Sequence, residues 1–107
     1  MERGDALSRI IRTGIVPVVR ASSAEEALAV TEAIRAGGID VIEVTMTVPG
    51  AVEVIRDLVR RYQDELLVGA GTVLDAQTAR ACMLAGARFV ASPALDEATI
   101  ALSLIHI

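Results

Sequence analysis

The chain has 107 residues, 53% of them apolar and 22% charged, with a net charge of −4 at pH 7. That is enough apolar surface for one small core and excludes a disordered tail, whereas a complete α/β barrel takes about 200 residues or more. The acidic balance and the absence of a clustered basic patch argue against nucleic acid or an anionic membrane as partner and favour a small-molecule substrate.

Cys82 is the only cysteine, so neither a disulfide framework nor a cysteine-based zinc site is expected, and no metal or cofactor is assigned. The opening MERGDALSRIIRTG has no apolar core of signal-peptide length, and no later run is long enough to span a bilayer; the expected compartment is the cytoplasm. All ten basic side chains are arginine, and the chain has no lysine.

In chain order, Asp5 to Thr13 reads as an amphipathic helix with Leu7, Ile10 and Ile11 on one face, stopped by Gly14. Ile15 to Arg20 reads as a buried strand whose Pro17 suits a barrel seam better than a central antiparallel pairing. Ser22-Ser23-Ala24-Glu25-Glu26 offers a capping box in either register, opening an Ala-rich helix that runs to about Arg35 and stops at Gly37-Gly38. The β-branched run Ile39 to Thr45 is a second strand. Pro49 is placed in the first turn of a helix over Ala51 to Tyr62, whose Val52, Ile55, Leu58 and Val59 recur at helical spacing. Leu66 to Ala70 is a third strand entering Gly71-Thr72, Asp75 caps a helix over Ala76 to Leu84, Arg88 to Ser92 is a fourth strand, and Asp96 opens a last helix.

Strands and helices that alternate with short connections imply parallel strands joined by right-handed crossovers. Ala36-Gly37-Gly38 before the second strand is echoed by Ala85-Gly86-Ala87 before the fourth, a faint repeat of two βα units. Units of roughly 25 residues suit an eight-fold barrel, of which four strands are half. The expected fold class is therefore α/β, of the (β/α)8 TIM-barrel family, present as an N-terminal half-barrel with four parallel strands. A doubly wound open sheet is the alternative, but its G-x-G-x-x-G after the first strand is missing.

Side chains alternate along a strand, so Ile39, Val41, Glu43 and Thr45 share one face while Ile42 and Val44 share the other. A carboxylate drawn from water is costly to ionise, and burial moves its pKa toward the range useful for a general acid or base; Glu43 is the first candidate for chemistry. In a barrel the chemistry sits where strands end and βα loops begin, which adds Arg20, Thr45 and Thr47, Gly69-Ala70-Gly71-Thr72, and Ser92-Pro93. Glu43 could instead be a structural acid paired with Arg20, and Arg20 a solvated strand-end charge; as a functional group its guanidinium fork would grip a carboxylate or phosphate. The two glycines of the GAGT run either let a backbone approach a ligand or make a tight strand-end turn. Cys82 reads as a core filler, and the single histidine, His106, receives no role.

The stretches GIVPVVRASSAEEA, AGGIDVIEVTMTVPGA, VGAGTVLDAQ and AGARFVASPALDE resemble, in order and spacing, the first half of the bacterial 2-keto-3-deoxy-6-phosphogluconate (KDPG) aldolases, also described as 4-hydroxy-2-oxoglutarate aldolases. The resemblance covers about residues 5 to 101. It implies a homotrimeric barrel in the full-length protein, acting without metal as a class I aldolase of central carbohydrate metabolism. Such an enzyme cleaves KDPG to pyruvate and glyceraldehyde 3-phosphate, or 4-hydroxy-2-oxoglutarate to pyruvate and glyoxylate, by way of a Schiff base on a lysine late in the barrel. By the same resemblance Glu43 corresponds to the glutamate that shuttles protons. Thr72 and Pro93 correspond to residues lining the pyruvate side, and Arg20 to a first-strand arginine contacting the acid substrate. Thr47 stands where some members place a substrate-binding arginine, and Thr45 and Thr47, at the same strand end, are expected to bind substrate.

Without a lysine the 107-residue chain cannot form the imine, so it is expected to be a truncated fragment without aldolase activity alone. Residues 1–101 are read as the half-barrel, and the closing LSLIHI, Leu102 to Ile107, as a non-native tail. Two further readings stay open: another phosphate-binding βα-barrel enzyme such as an epimerase or isomerase, and a non-catalytic half-barrel that self-associates through its unpaired edges.

Overall fold

The structure is a computed structural model that describes residues 3–93 and 97–106. Helix α1 (Arg3–Thr13) leads to β1 (Val18–Val19), α2 (Ala24–Ala36), β2 (Val41–Thr45), α3 (Ala51–Tyr62) with a short 3-10 turn over Gln63–Glu65, β3 (Leu67–Gly71), α4 (Ala76–Ala85), β4 (Phe89–Val90) and α5 (Glu97–His106). Asp96, the expected start of the last helix, lies outside the described residues.

Local chemistry explains most boundaries. Gly14, at φ 77°, closes α1 in the left-handed region. Of the two serines offered for capping α2, Ser23 takes the N-cap and accepts from the Glu26 amide at 3.1 Å. The Glu26 carboxylate accepts instead from the Ser22 hydroxyl at 2.7 Å. Asp75 caps α4 by accepting from the Thr78 amide at 2.7 Å. Pro49 stands in the turn before α3 rather than in its first turn: the N-cap is Gly50, at φ 67°, and the helix begins at Ala51.

The four strands pair in parallel in the order β1-β2-β3-β4, so each crossover adds its strand on the same side of the one before. The core agrees with that winding. Ile42 and Val44 of β2 and Val68 and Ala70 of β3 all face α2, α3 and α4, joining Ala27, Val54, Ile55, Leu58, Ala79 and Cys82 in one buried cluster. Crossover helices α2, α3 and α4 on a single face of an in-order parallel sheet define a singly wound, barrel-type half; a doubly wound sheet carries its crossovers on both faces. The opposite, inner face is floored by α1, whose Ala6 and Ile10 pack on Val41, Leu67, Val16 and Phe89.

The outer strands are shorter than their sequences suggest. Pairing in β1 is confined to Val18–Val19 instead of Ile15–Arg20, and in β4 to Phe89–Val90 instead of Arg88–Ser92. Each has a single neighbouring strand among the described residues, and Pro17 has no N–H to give. Its carbonyl still accepts from the Glu43 amide at 2.9 Å. Leu102, the first residue of the expected tail, packs against the outer core, the helix continues to His106, and Ile107 lies outside the described residues.

Candidate active site

The inner face of the sheet is arranged in rows set by the strand register. Val18, Glu43, Gly69 and Phe89 form one row, with Val41 beside Leu67 below it and Thr45 beside Gly71 above it. The period-two reading of β2 is therefore correct: Ile42 and Val44 face the helices, and Glu43 faces inward.

The glycines of β3 make this row possible. Gly71 lies beneath the Glu43 side chain, and a Cβ there would stand 2.5 Å from Glu43 Oε2 and 2.6 Å from its Cδ. At Gly69 a Cβ would overlap the ring of Phe89. Both residues lie within the strand and neither has a positive φ. Their missing side chains thus make room for an acid and an aromatic ring, rather than for the tight turn that was one reading of GAGT. Phe89, the one phenylalanine, was not among the sequence candidates. The available signal was an aromatic residue opening a strand that runs beside a glycine-rich one.

Glu43 is half-buried, and burial raises its pKa above the usual 4.5, opposed by the positive charge of Arg20. Arg20 itself is exposed just beyond β1, and no salt bridge joins the two side chains. The structural pairing of Glu43 with Arg20 is thus not present as a contact; what remains is a longer-range attraction. The electrostatics leave Glu43 readier than a solvated carboxylate to hold a proton.

The other candidates gather at the same carboxyl ends of the strands. Thr45 is buried and donates to the Val19 carbonyl at 3.0 Å, tying β2 to β1. Its hydroxyl has one proton, already given to Val19, so at 3.0 Å it is Thr47 that donates to Thr45. Thr47 is exposed beyond β2, Thr72 is exposed directly after Gly71, and Pro93 is exposed beyond β4. Arg20, Thr47 and Thr72 accordingly present side chains to solvent above Glu43's row, whereas Thr45 braces the strand end. Cys82 is buried among core residues, as a core filler should be, with burial pushing its thiol up to about 11. Among the described residues no group of three or more His, Cys, Asp or Glu side chains is arranged to hold a metal ion, and no helix is long and apolar enough to cross a membrane.

A singly wound parallel half-barrel with an inward acid on its second strand places the chain in the βα-barrel class of folds. The chain belongs to the family described as "Aldolase: KDPG and KHG aldolase", whose model matches residues 7–104. The KHG/KDPG aldolase of Escherichia coli K12 is 42% identical over 89 residues, which is 82% of this chain and 41% of the relative. The 2-dehydro-3-deoxy-phosphogluconate aldolase of Treponema pallidum is 37% identical over 95 residues, 89% of this chain and 45% of the relative. Among solved structures, KDPG aldolase from Legionella pneumophila, with pyruvate captured as a covalent carbinolamine intermediate, superposes with a TM-score of 0.81 at 32% identity, covering 95% of this chain and 48% of that one. The Zymomonas mobilis ZM4 aldolase with 3-phosphoglycerate gives 0.82 at 31% identity, covering 97% and 49%. The chain thus spans about half the length of the relatives it matches.

Proposed function

We infer that this half-barrel is the acid-base half of a class I aldolase that cleaves KDPG or 4-hydroxy-2-oxoglutarate to pyruvate and an aldehyde. The observation that carries the reading is the Glu43 carboxylate, seated over Gly71 on the inner face with its charged form disfavoured by burial. The capture of pyruvate as a carbinolamine in the Legionella relative is consistent with covalent keto-acid chemistry in this family.

In the proposed mechanism an amine from outside these 107 residues attacks the keto carbon of the substrate, and loss of water leaves a protonated imine that withdraws electrons. Glu43 takes the proton from the hydroxyl on the carbon whose bond to the enamine-forming carbon breaks, releasing the aldehyde, and returns a proton to the enamine carbon; water then hydrolyses the imine, freeing pyruvate and the amine. Arg20 attracts the acid substrate, and Thr47, Thr72 and Pro93 line its approach. Thr45 keeps the second strand end in place through Val19. The amine must come from outside these 107 residues, which contain no lysine. The full-length protein is expected to be a cytoplasmic homotrimer.

The test is a fusion of residues 5–101 to the remaining half of the E. coli relative. Borohydride with pyruvate should add mass to the fusion and none to the 107-residue chain alone. A fusion that folds yet neither traps pyruvate nor releases it from KDPG or 4-hydroxy-2-oxoglutarate contradicts the assignment.

A further inference from the structure

We propose that Phe89 is a positioning residue: its ring wedges the Glu43 carboxylate up over Gly71, toward the carboxyl ends of the strands, where the proposed substrate binds. The inference rests on the acid-base reading of Glu43, and its geometry comes from contacts among β2, β3 and β4 alone. Glu43 stands directly opposite Gly69, and Gly69 opposite Phe89. A bare glycine beside a glutamate offers a space into which the side chain could lie across the neighbouring strand. That space is filled from the other side. The three atoms nearest to a Cβ built on Gly69 are Cε1, Cζ and Cε2 of Phe89, the far end of the ring, and none belongs to Glu43. The carboxylate stands instead one row higher, with Oε2 2.5 Å and Cδ 2.6 Å from a Cβ built on Gly71. Two residues along a strand is about 6.6 Å, a step that a glutamate side chain can span.

The base of the wedge is held from below, where Phe89 packs with Val41, Leu67 and Ala6. The floor helix thus sets the ring, and the ring sets the acid. An apolar ring at this place also keeps water from the lower side of Glu43, in keeping with burial as the main cause of its raised pKa. Arg20, beyond β1, is the charge that opposes the rise. The flanking strands bring only Val18, Gly69 and Gly71 to this row and the next. On α1, Arg9 donates to Asp40 and Asp64, and Asp5 and Arg12 are exposed.

Phe89→Leu removes the three ring atoms over Gly69 while keeping a branched apolar base on Val41 and Leu67. In the complete barrel made by fusing residues 5–101 to the remaining half of the E. coli relative, it should lower kcat for pyruvate release by about 10²-fold, with KM little changed. Side-chain carbon NMR should show the Glu43 titration midpoint falling as water reaches the carboxylate. Adding Gly69→Ala puts a methyl where the ring tip stood, and the double variant should regain both turnover and midpoint, a recovery that a merely structural loss does not give. Val68→Ala, on the outer face of the same strand, should lower the urea midpoint and leave the Glu43 titration where it was. A folded Phe89→Leu barrel whose kcat and Glu43 midpoint match those of the unaltered fusion, or a double variant that recovers neither, overturns the proposal. If the unaltered fusion folds without turnover, the aldolase reading fails alone, and the shift in the Glu43 midpoint and its recovery still decide for or against the wedge.

Discussion

Glu43 is held where its charge is disfavoured, and this fixes the sign of its effect on stability. Its folded-state pKa is raised above the 4.5 of an unfolded glutamate, so between the two values the folded state binds more protons and stability falls as pH rises. Glu43→Gln is therefore expected to raise the urea midpoint at pH 7, with the gain vanishing below about pH 4.5, where both states are protonated. A gain of equal size at both pH values would place the effect in packing rather than charge. Gly71→Ala fills the space under the carboxylate and should drive it toward water, lowering the Glu43 titration midpoint as followed by side-chain carbon NMR. Gly69→Ala drives a methyl into the Phe89 ring and should cost about 1–3 kcal/mol, a loss that Phe89→Ala in the same chain reduces if the clash is its cause. None of this was legible in the GAGT run. The residues that require the glycines stand on β2 and β4, distant in sequence, and only the register brings them together.

The arginine clamp of α1 belongs to the scale of elements. Arg9 donates to the Asp64 carbonyl at 2.7 Å and the Asp40 carboxylate at 3.0 Å, so one side chain ties the floor helix to the chain entering β2 and to the turn before β3. Burial acts to raise the Asp40 pKa, but the hydrogen bond and charge of Arg9, with the Thr13 hydroxyl, outweigh it and hold the carboxyl below its usual value. A depressed folded pKa contributes stability above about pH 4 that is lost as pH falls through it. Since Asp40 is half exposed, the ion pair itself is a small term. The expected consequence of Arg9→Ala is faster amide exchange in α1 with β2 and β3 still protected, and Arg9→Lys should restore little because an ammonium cannot span both acceptors. Uniform loss of protection across the sheet would show that α1 is not a separately docked element. Helix limits were readable from caps and glycines, since Ser23, Asp75 and Gly14 act through local bonds. The ends of β1 and β4 were not, because an edge strand is only as long as its one ladder.

At the scale of the whole molecule, alternating elements with short crossovers pointed to parallel strands, and the in-order sheet with its crossover helices on one face bears out the half-barrel. Four quoted stretches likewise pointed to the aldolase family to which the chain belongs. The positions of Arg20, Thr47, Thr72 and Pro93 at one end of the sheet followed from the barrel rule that strand ends carry the chemistry. Sequence reasoning grouped Thr45 with the substrate-binding residues and could not foresee that it is buried, with its hydroxyl proton given to the Val19 carbonyl of the neighbouring strand. The most direct measurement is the rate of pyruvate release by the fused, complete barrel with Glu43 and with Glu43→Gln. If the inward acid moves protons for the bond-breaking step, Glu43→Gln should lose about 10²–10⁴-fold in kcat while the fold holds. Undiminished turnover by the glutamine variant would contradict the account.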